Sequence, residues 1–207
     1  MMEMVLASPV ASIIFAITLA TSLWAFSDEH IYAKFILNPY EVSRGYRVYT
    51  IITSGLIHAD WNHLFFNMLS YYFFAFQLEQ MLGHWQFGLL YMASMVLADL
   101  PSIQKHKDDS WYNSLGASGA ISAVIFSYIL FNPKASMGIM FIPIPIPAYI
   151  FGVLYLVYCH FASKHARDNI NHDAHLFGGL YGVLFIIIAR PGVLTYFINE
   201  LMHPKWP

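Results

Sequence analysis

Residues 110–133 of this chain read SWYNSLGASGAISAVIFSYILFNP and contain no Asp, Glu, Lys or Arg. The hydrocarbon core of a bilayer, about 30 Å thick, selects an apolar helix of about this length. Within the stretch, Ser118 lies between Gly116 and Gly119, and small residues recur every four positions from Gly119 to Ser127. The stretch therefore predicts a membrane helix on which a second helix can pack closely.

The whole chain has the composition of a membrane protein. Of its 207 residues, 58% are hydrophobic, 17% aromatic and 11% charged, against roughly 25% charged residues in an average soluble domain. This composition excludes a water-soluble globule, and without a polar linker it predicts one domain over residues 1–207. The net charge of −2 with no basic block excludes nucleic acid as a partner. The single cysteine, Cys159, can form neither an internal disulfide nor a cluster of cysteine ligands.

Charged residues separate five further apolar runs, so the sequence predicts an all-α polytopic membrane protein with six transmembrane helices. The fifth helix is expected to begin near Ala148, because Pro143, Pro145 and Pro147 exclude a helix before it. The first run lacks the basic residues of a secretory signal, so we expect it to be retained. The predicted spans are residues 5–26, 62–81, 85–100, 115–133, 148–163 and 174–189.

Six spans place both ends of the chain on one side of the membrane, and every even-numbered span then begins on the opposite side. The Lys and Arg residues are distributed seven to three in favour of that opposite side. Taken alone, this count puts the ends of the chain outside the cell, because loops rich in Lys and Arg stay in the cytoplasm. The seven are Lys34, Arg44, Arg47, Lys105, Lys107, Lys164 and Arg167, and the three are Lys134, Arg190 and Lys205.

Two further polar groups stand out because polar side chains are costly in lipid. In HADWNHLFFNM, residues 58–68, His63 and Asn67 are four positions apart and share one helix face. In NHDAHLFGGLYG, His175 is followed by Gly178 and Gly182, a GxxxG pair that allows a close helix contact. Each group alone has a structural explanation, namely hydrogen bonds between helices or, for the glycines and for GASG, simple helix packing.

The three polar groups occupy equivalent places, since Ser118, His175 and the His63 and Asn67 pair each lie at the start of an even-numbered span. They are therefore expected at similar depth on one side of the membrane. A serine nucleophile needs a base to accept its proton, and histidine has a suitable pKa. Amide or imidazole groups and the N–H groups at a helix start can stabilise an oxyanion. Together the residues favour a serine hydrolase.

The motifs HADWNHLFFNM, GASG and AHLFGGLYG resemble, in this order, those of the rhomboid intramembrane serine proteases over about residues 44–182. The resemblance implies an endopeptidase that hydrolyses peptide bonds in or near transmembrane segments with a Ser-His dyad. In that dyad, Ser118 would be the nucleophile and His175 the general base and then the general acid. It further implies an oxyanion hole of His63, Asn67 and the Ser118 N–H, and places Gly116, Gly119, Gly178 and Gly182 in the active-site turn and the helix packing.

The resemblance also implies the setting of the site. Single-pass transmembrane proteins are the expected substrates, in a lipid bilayer and without a metal or another cofactor. The expected location is the bacterial inner (plasma) membrane with cytoplasmic termini, opposite to the charge count. Asp173 is not expected to complete a triad, because two positions from His175 it lies on a different face of a helix.

Some positions depart from the family's pattern and others match it. Tyr46-Arg47 stands where the family carries a Trp-Arg pair, and Glu79 and Gly83 match another structural pattern. Ser122 stands where some relatives pack a tyrosine against the catalytic histidine. The sequence therefore leaves open how His175 is oriented.

Two other functions are compatible with parts of the sequence. Ten histidines suggest a membrane metal or haem protein, although there is no HExxH motif and no tight ligand spacing among the histidines of the spans. A catalytically inactive rhomboid relative that binds membrane clients is the second alternative. Such proteins typically lack the serine or the histidine, and this chain has both. The sequence does not indicate an oligomeric state.

Overall fold

Helices dominate the computed structural model, which describes residues 2–139, 142–166, 168 and 170–203. Within these residues the part of the chain up to residue 56 contains one long helix, with a short helix before it and a series of short ones after it. They are α1 (Met2–Ala7), α2 (Pro9–Ser27), α3 (Glu29–Phe35), α4 (Pro39–Val42), α5 (Thr50–Thr53) and a 3₁₀ turn (Ser54–Leu56).

The remaining described residues form longer helices and one antiparallel hairpin. They are α6 (Trp61–Leu82), α7 (His84–Lys105), α8 (Ser118–Phe131), β1 (Ser136–Ile139), β2 (Ile142–Pro147), α9 (Ala148–His165), α10 (His172–Ala189) and α11 (Val193–Met202).

The helix boundaries differ from the predicted spans where local chemistry starts or stops a helix. Helix α2 begins at Pro9, which takes the first helical position because it has no N–H to donate. Helix α8 begins at Ser118 and not at 115, because Gly116 has a φ of 111° that a helix does not contain. Helix α7 continues through Pro101 to Lys105, five residues beyond the predicted end of its span.

Among the residues that the structure describes, three helices are long and apolar enough to cross a membrane, namely α2, α7 and α10. Helices α8 and α11 are shorter apolar helices. Large apolar side chains also cover outward faces of the molecule, including Trp24, Phe65 and Phe161, each more than half exposed. An apolar exterior of this kind fits a lipid environment. The described residues therefore form a mostly helical fold of the membrane type, and the β1–β2 hairpin is its one departure from the predicted all-α class.

Helix α8 lies at the centre of the molecule and packs against α10 with direct backbone contact. A Cβ atom added at Gly178 would overlap the carbonyl oxygen of Gly119, and one added at Gly182 would overlap that of Ala123. The hydroxyl of Ser127 donates a hydrogen bond of 3.2 Å to the carbonyl of Gly182. Glycines on α10 and small residues on α8 therefore bring the two helices closer than larger side chains allow.

The buried carboxylate of Glu79 fixes α2 against α6. Its oxygens accept hydrogen bonds from the N–H groups of Val10 (3.1 Å) and Ala11 (2.6 Å), and Nδ1 of His84 lies 2.6 Å from it. The first N–H groups of a helix have no partner within the helix, and a carboxylate there also interacts favourably with the helix dipole. Glu79 thus joins the start of one long helix to the end of another.

Two arginines stabilise the segment between α2 and α6, Arg47 by contacts within the segment and Arg44 by a contact just beyond the end of α7. Arg47 forms an ion pair with Glu41 at 2.9 Å and donates to the carbonyl of Lys34 at 3.0 Å. Arg44 donates to the carbonyl of Lys107 at 2.7 Å and lies over the ring of Tyr40. Both positive charges therefore have a structural role in this segment.

Candidate active site

The turn before α8 brings Ser118 to the first position of the helix. Gly116 adopts a φ of 111°, and a Cβ atom at this position would lie 2.7 Å from Nε2 of His63. The N–H of Gly116 also donates to the carbonyl of Ser54 at 2.9 Å. Both the backbone conformation and the approach of the imidazole therefore require glycine here. His63 thus lies against Gly116, the residue two positions before Ser118.

Asn171 connects the turn before Ser118 to the start of α10. Its side-chain oxygen accepts hydrogen bonds from the N–H of Ala174 (3.0 Å) and the hydroxyl of Ser102 (2.7 Å), and its amide donates to Ser114 (3.0 Å). Sequence reasoning did not identify this residue. Its position shortly before a predicted helix could have indicated it, because asparagine is a preferred N-cap residue.

The starts of α8 and α10 face each other beside Ser118 and His175. A Cβ atom at Gly119 would lie 3.4 Å from the carbonyl oxygen of Ala174, so these two backbones are in contact. Ser118 precedes one of these residues and His175 follows the other. Both side chains are partly exposed. The fold thus brings the sequence-predicted serine and histidine to neighbouring helix starts.

Tyr155, on α9, holds the imidazole of His175. Its hydroxyl lies 3.1 Å from Nδ1 of His175, and the two rings are within 19° of parallel with centroids 6.3 Å apart. Ser122, which replaces a tyrosine found in some rhomboid proteases, is buried on α8. The orientation that the sequence left open is therefore supplied from a different helix. No sequence signal distinguishes Tyr155 from the other aromatic residues of its span.

His63 and Asn67 lie on one face of α6, which approaches the turn before α8 through His63. The buried Asn67 amide donates one hydrogen bond of 2.9 Å to the carbonyl of His63, one turn earlier. An amide nitrogen carries two hydrogens, so one donor of Asn67 is left for another acceptor. The imidazole of His63 is in turn contacted by the edge of the His58 ring, with centroids 4.9 Å apart.

His58 supports this arrangement from the loop before α6. Its ring is fully buried, and Nδ1 lies 2.9 Å from the hydroxyl of Ser22 on α2. Burial penalises the charged imidazolium and lowers the pKa of His58 to about 3, an effect to which the neighbouring His63 adds. His58 is therefore neutral at physiological pH.

A second polar cluster lies around His175. Donor atoms of Cys159, His172 and His175 lie within 4.8 Å of one another. The sequence interpretation that the histidines of the spans show no tight ligand spacing is therefore incomplete, because the close group joins residues from two helices. Asp173 is engaged elsewhere, in an ion pair of 2.6 Å with Lys105.

Comparison with known proteins identifies the family. Residues 45–192 match the model of the rhomboid domain. The chain is 27% identical over 178 residues to RHOMBOID-like protein 12, mitochondrial, of Arabidopsis thaliana. This alignment covers 77% of this chain and 53% of that protein. The chain is also 31% identical over 141 residues to the putative rhomboid protease YdcA of Bacillus subtilis (strain 168), and this alignment covers 67% of this chain and 66% of that protein.

A third relative is Rhomboid protein 1, mitochondrial, of Saccharomyces cerevisiae, 31% identical over 148 residues, or 66% of this chain and 40% of that protein. The match thus spans between 40% and 66% of the length of these relatives. The matched region contains Ser118, His175, His63 and Asn67. With the family model covering most of the chain, the resemblance of the motifs is confirmed, and this protein belongs to the rhomboid family.

Proposed function

We propose that this protein is an intramembrane serine endopeptidase that hydrolyses peptide bonds in or near transmembrane segments of other membrane proteins. The observation that carries the proposal is that Nδ1 of His175 lies 3.1 Å from the hydroxyl of Tyr155, while the helix starts that carry His175 and Ser118 are in backbone contact. A base that is oriented by a third group, beside a nucleophile, is the arrangement that nucleophilic catalysis requires.

In the proposed reaction, Oγ of Ser118 attacks the scissile carbonyl carbon and its proton passes to Nε2 of His175. The negative oxygen of the tetrahedral intermediate accepts hydrogen bonds from the free N–H of Asn67, from His63 and from the N–H of Ser118. His175 then donates the proton to the leaving amine. Water, deprotonated by His175, hydrolyses the acyl-enzyme and restores the serine hydroxyl.

Tyr155 acts in this scheme as a positioning residue. If its oxygen accepts a hydrogen bond from Nδ1–H of His175, the lone pair of that imidazole lies on Nε2, where a base for Ser118 needs it. The nearly parallel rings restrict rotation of the imidazole. A neutral phenol stabilises the imidazolium less than a carboxylate does, so Tyr155 contributes mainly the orientation and the tautomer.

Six membrane spans are proposed, formed by α2, α6, α7, α8, α9 and α10, in a bacterial inner membrane with both ends of the chain in the cytoplasm. The structural roles of Arg44 and Arg47 support leaving them out of the charge count. Arg167 and Lys205, which also entered that count, lie outside the described residues. Two of the relatives carry mitochondrial names. The proposed orientation, with both ends of the chain in the cytoplasm, is that of a protein in a bacterial inner membrane.

The proposed substrates are single-pass transmembrane proteins, and cleavage of a model substrate of this type by the purified protein tests the activity. We expect cleavage by the unaltered protein and none by Ser118→Ala. Ser127→Ala is the matched control, because it removes a hydroxyl from the same helix where that hydroxyl donates to the carbonyl of Gly182. Binding of the substrate without cleavage would instead support an inactive client-binding protein.

A further inference from the structure

We propose that Cys159, His172 and His175 form a binding site for Zn²⁺ whose occupation blocks proteolysis. The binding of the metal ion is argued from these residues alone. Only its inhibitory effect rests on the proposed function, through the role of His175 as general base. The expected activity is therefore metal-free, and the ion acts as an inhibitor and not as a cofactor.

The donor set has the chemistry that zinc prefers. One thiol and two imidazoles from α9 and α10 place their ligand atoms within 4.8 Å of one another. With zinc bonds of about 2.0 Å to nitrogen and 2.3 Å to sulfur, tetrahedral ligands lie about 3.3 to 3.8 Å apart, so a shift of about 1 Å closes the site. Three protein ligands leave the fourth position to water, as in many open zinc sites.

His172 provides the strongest observation. The residue is 4% exposed, and its Nε2 lies 3.1 Å from a carboxylate oxygen of Asp168. A carboxylate accepts, so Nε2 carries a proton, and in the neutral imidazole the lone pair then lies on Nδ1. That Nδ1 is buried and has no hydrogen-bond partner among the described residues. A buried acceptor without a partner is costly, and a metal ion would satisfy it.

Asp168 completes a pattern that is common around zinc. Histidine ligands usually donate their second N–H to a carboxylate, which fixes the tautomer and raises the basicity of the ligand. Asp168 fulfils this role for His172, and its side chain is 42% exposed in the loop between α9 and α10. The carboxylate thus gives the ion an approach from the aqueous side and a nearby negative charge.

Binding requires one deprotonation and no redox step. The thiol of Cys159 releases its proton to solvent, and the thiolate and two imidazole lone pairs bind the ion. His175 loses its freedom to act as a base, since its imidazole is committed to the metal ion. If Nδ1 is the ligand atom, the hydrogen bond to Tyr155 is lost as well. Either way Ser118 has no proton acceptor.

The first test uses Co²⁺ as a spectroscopic substitute, without any substrate. Cys159 is the only cysteine of the chain, so a thiolate-to-cobalt absorption band can arise from this site alone. We expect such a band at one equivalent of Co²⁺, its loss on addition of Zn²⁺, and its absence in Cys159→Ala. Absence of the band from the unaltered protein would overturn the proposal.

The second test measures Zn²⁺ inhibition of cleavage, each variant being compared with its own zinc-free rate. Asp168→Asn alters an exposed loop side chain and should weaken inhibition by about 10- to 100-fold, the usual effect of losing such a carboxylate. His172→Gln should weaken it at least as much. The control is His160→Gln, a neighbour of Cys159 on the exposed side of α9, which should leave inhibition unchanged.

The two proposals fail in different ways. A cobalt band in a protein that cleaves nothing would leave the metal site standing and refute the protease. Cleavage that Zn²⁺ inhibits equally in the unaltered protein, Asp168→Asn and His172→Gln would refute the metal site and leave the protease standing. Thermal unfolding of each variant shows whether it is folded. If Cys159→Ala or His172→Gln does not fold, the test rests on Asp168→Asn, which changes an exposed loop side chain.

Discussion

At the scale of single residues, the hydroxyl of Tyr155 is the feature that distinguishes this site most clearly. Tyr155→Phe keeps the ring beside His175 and removes the hydrogen bond to Nδ1. A neutral hydrogen bond contributes about 1 to 1.5 kcal/mol, so we expect kcat to fall by about 5- to 13-fold with little change in KM. Tyr158→Phe, on the exposed side of the same helix, is the control. Equal rates for Tyr155→Phe and the unaltered protein would remove Tyr155 from the mechanism.

Asn67 is expected to assist catalysis without belonging to the dyad. Losing one oxyanion donor typically lowers turnover by about 10²- to 10³-fold, so Asn67→Ala should retain more activity than Ser118→Ala or His175→Ala. Within the described part of the chain its side chain makes one hydrogen bond, to its own helix, and loss of that bond should change stability little. Turnover and thermal unfolding measured on the same detergent sample decide this. An unchanged rate with a lower melting temperature would make Asn67 a structural residue.

His58 predicts a dependence of stability on pH. Its pKa is about 3 in the folded protein against an ordinary value of 6.5. Between these values the unfolded chain binds a proton that the folded protein does not, so the free energy of unfolding falls as pH decreases from 6.5 towards 3. The slope from this group is at most about 1.4 kcal/mol per pH unit. Above pH 6.5 it contributes no slope.

The measurement is thermal unfolding in detergent as a function of pH, with His58→Asn for comparison. We expect the variant to be less stable at pH 7, because it loses the contact with Ser22, and to lose less stability on acidification. The same acid sensitivity in both proteins would show that another group causes it.

At the scale of elements, the contact between α8 and α10 positions the two proposed catalytic residues. Gly178→Ala places a methyl group on the carbonyl of Gly119. Overpacking of this kind costs about 1 to 3 kcal/mol, and more where backbone must move. We expect a lower melting temperature and loss of cleavage, since Ser118 and His175 lie beside this contact.

Gly192→Ala provides the matched control, because a Cβ atom at Gly192 would meet no atom of the described residues within 4 Å. It should unfold at the temperature of the unaltered protein. Full stability and activity of Gly178→Ala would contradict the close packing of α8 and α10.

At the scale of the whole molecule, six spans and a cytoplasmic orientation make separate predictions. Fusing a reporter that is active only in the cytoplasm to either end of the chain in bacteria should give a signal at both ends. Equal results at the two ends support an even number of spans, and the presence or absence of the signal at both ends gives the orientation. A signal at one end only would contradict six spans, and none at either would favour the seven-to-three charge count.

The sequence by itself determined the properties that depend on a residue and its close neighbours in the chain. Composition excluded a soluble globule, and the proline series predicted a helix from about 148, where α9 begins. The three motifs gave the family because their order and spacing are local patterns. These features need no knowledge of how one helix is rotated against another.

Only the tertiary structure decided which side chains meet around His175. Tyr155 is 20 positions away from it, and Cys159 and His172 come together with it from two helices. In a soluble protein the apolar face of a helix would have indicated its inward side, whereas helices in lipid are apolar on all sides. The rotation of α9 that turns Tyr155 and Cys159 towards the site is therefore set by packing between helices. The local sequence does not indicate this rotation.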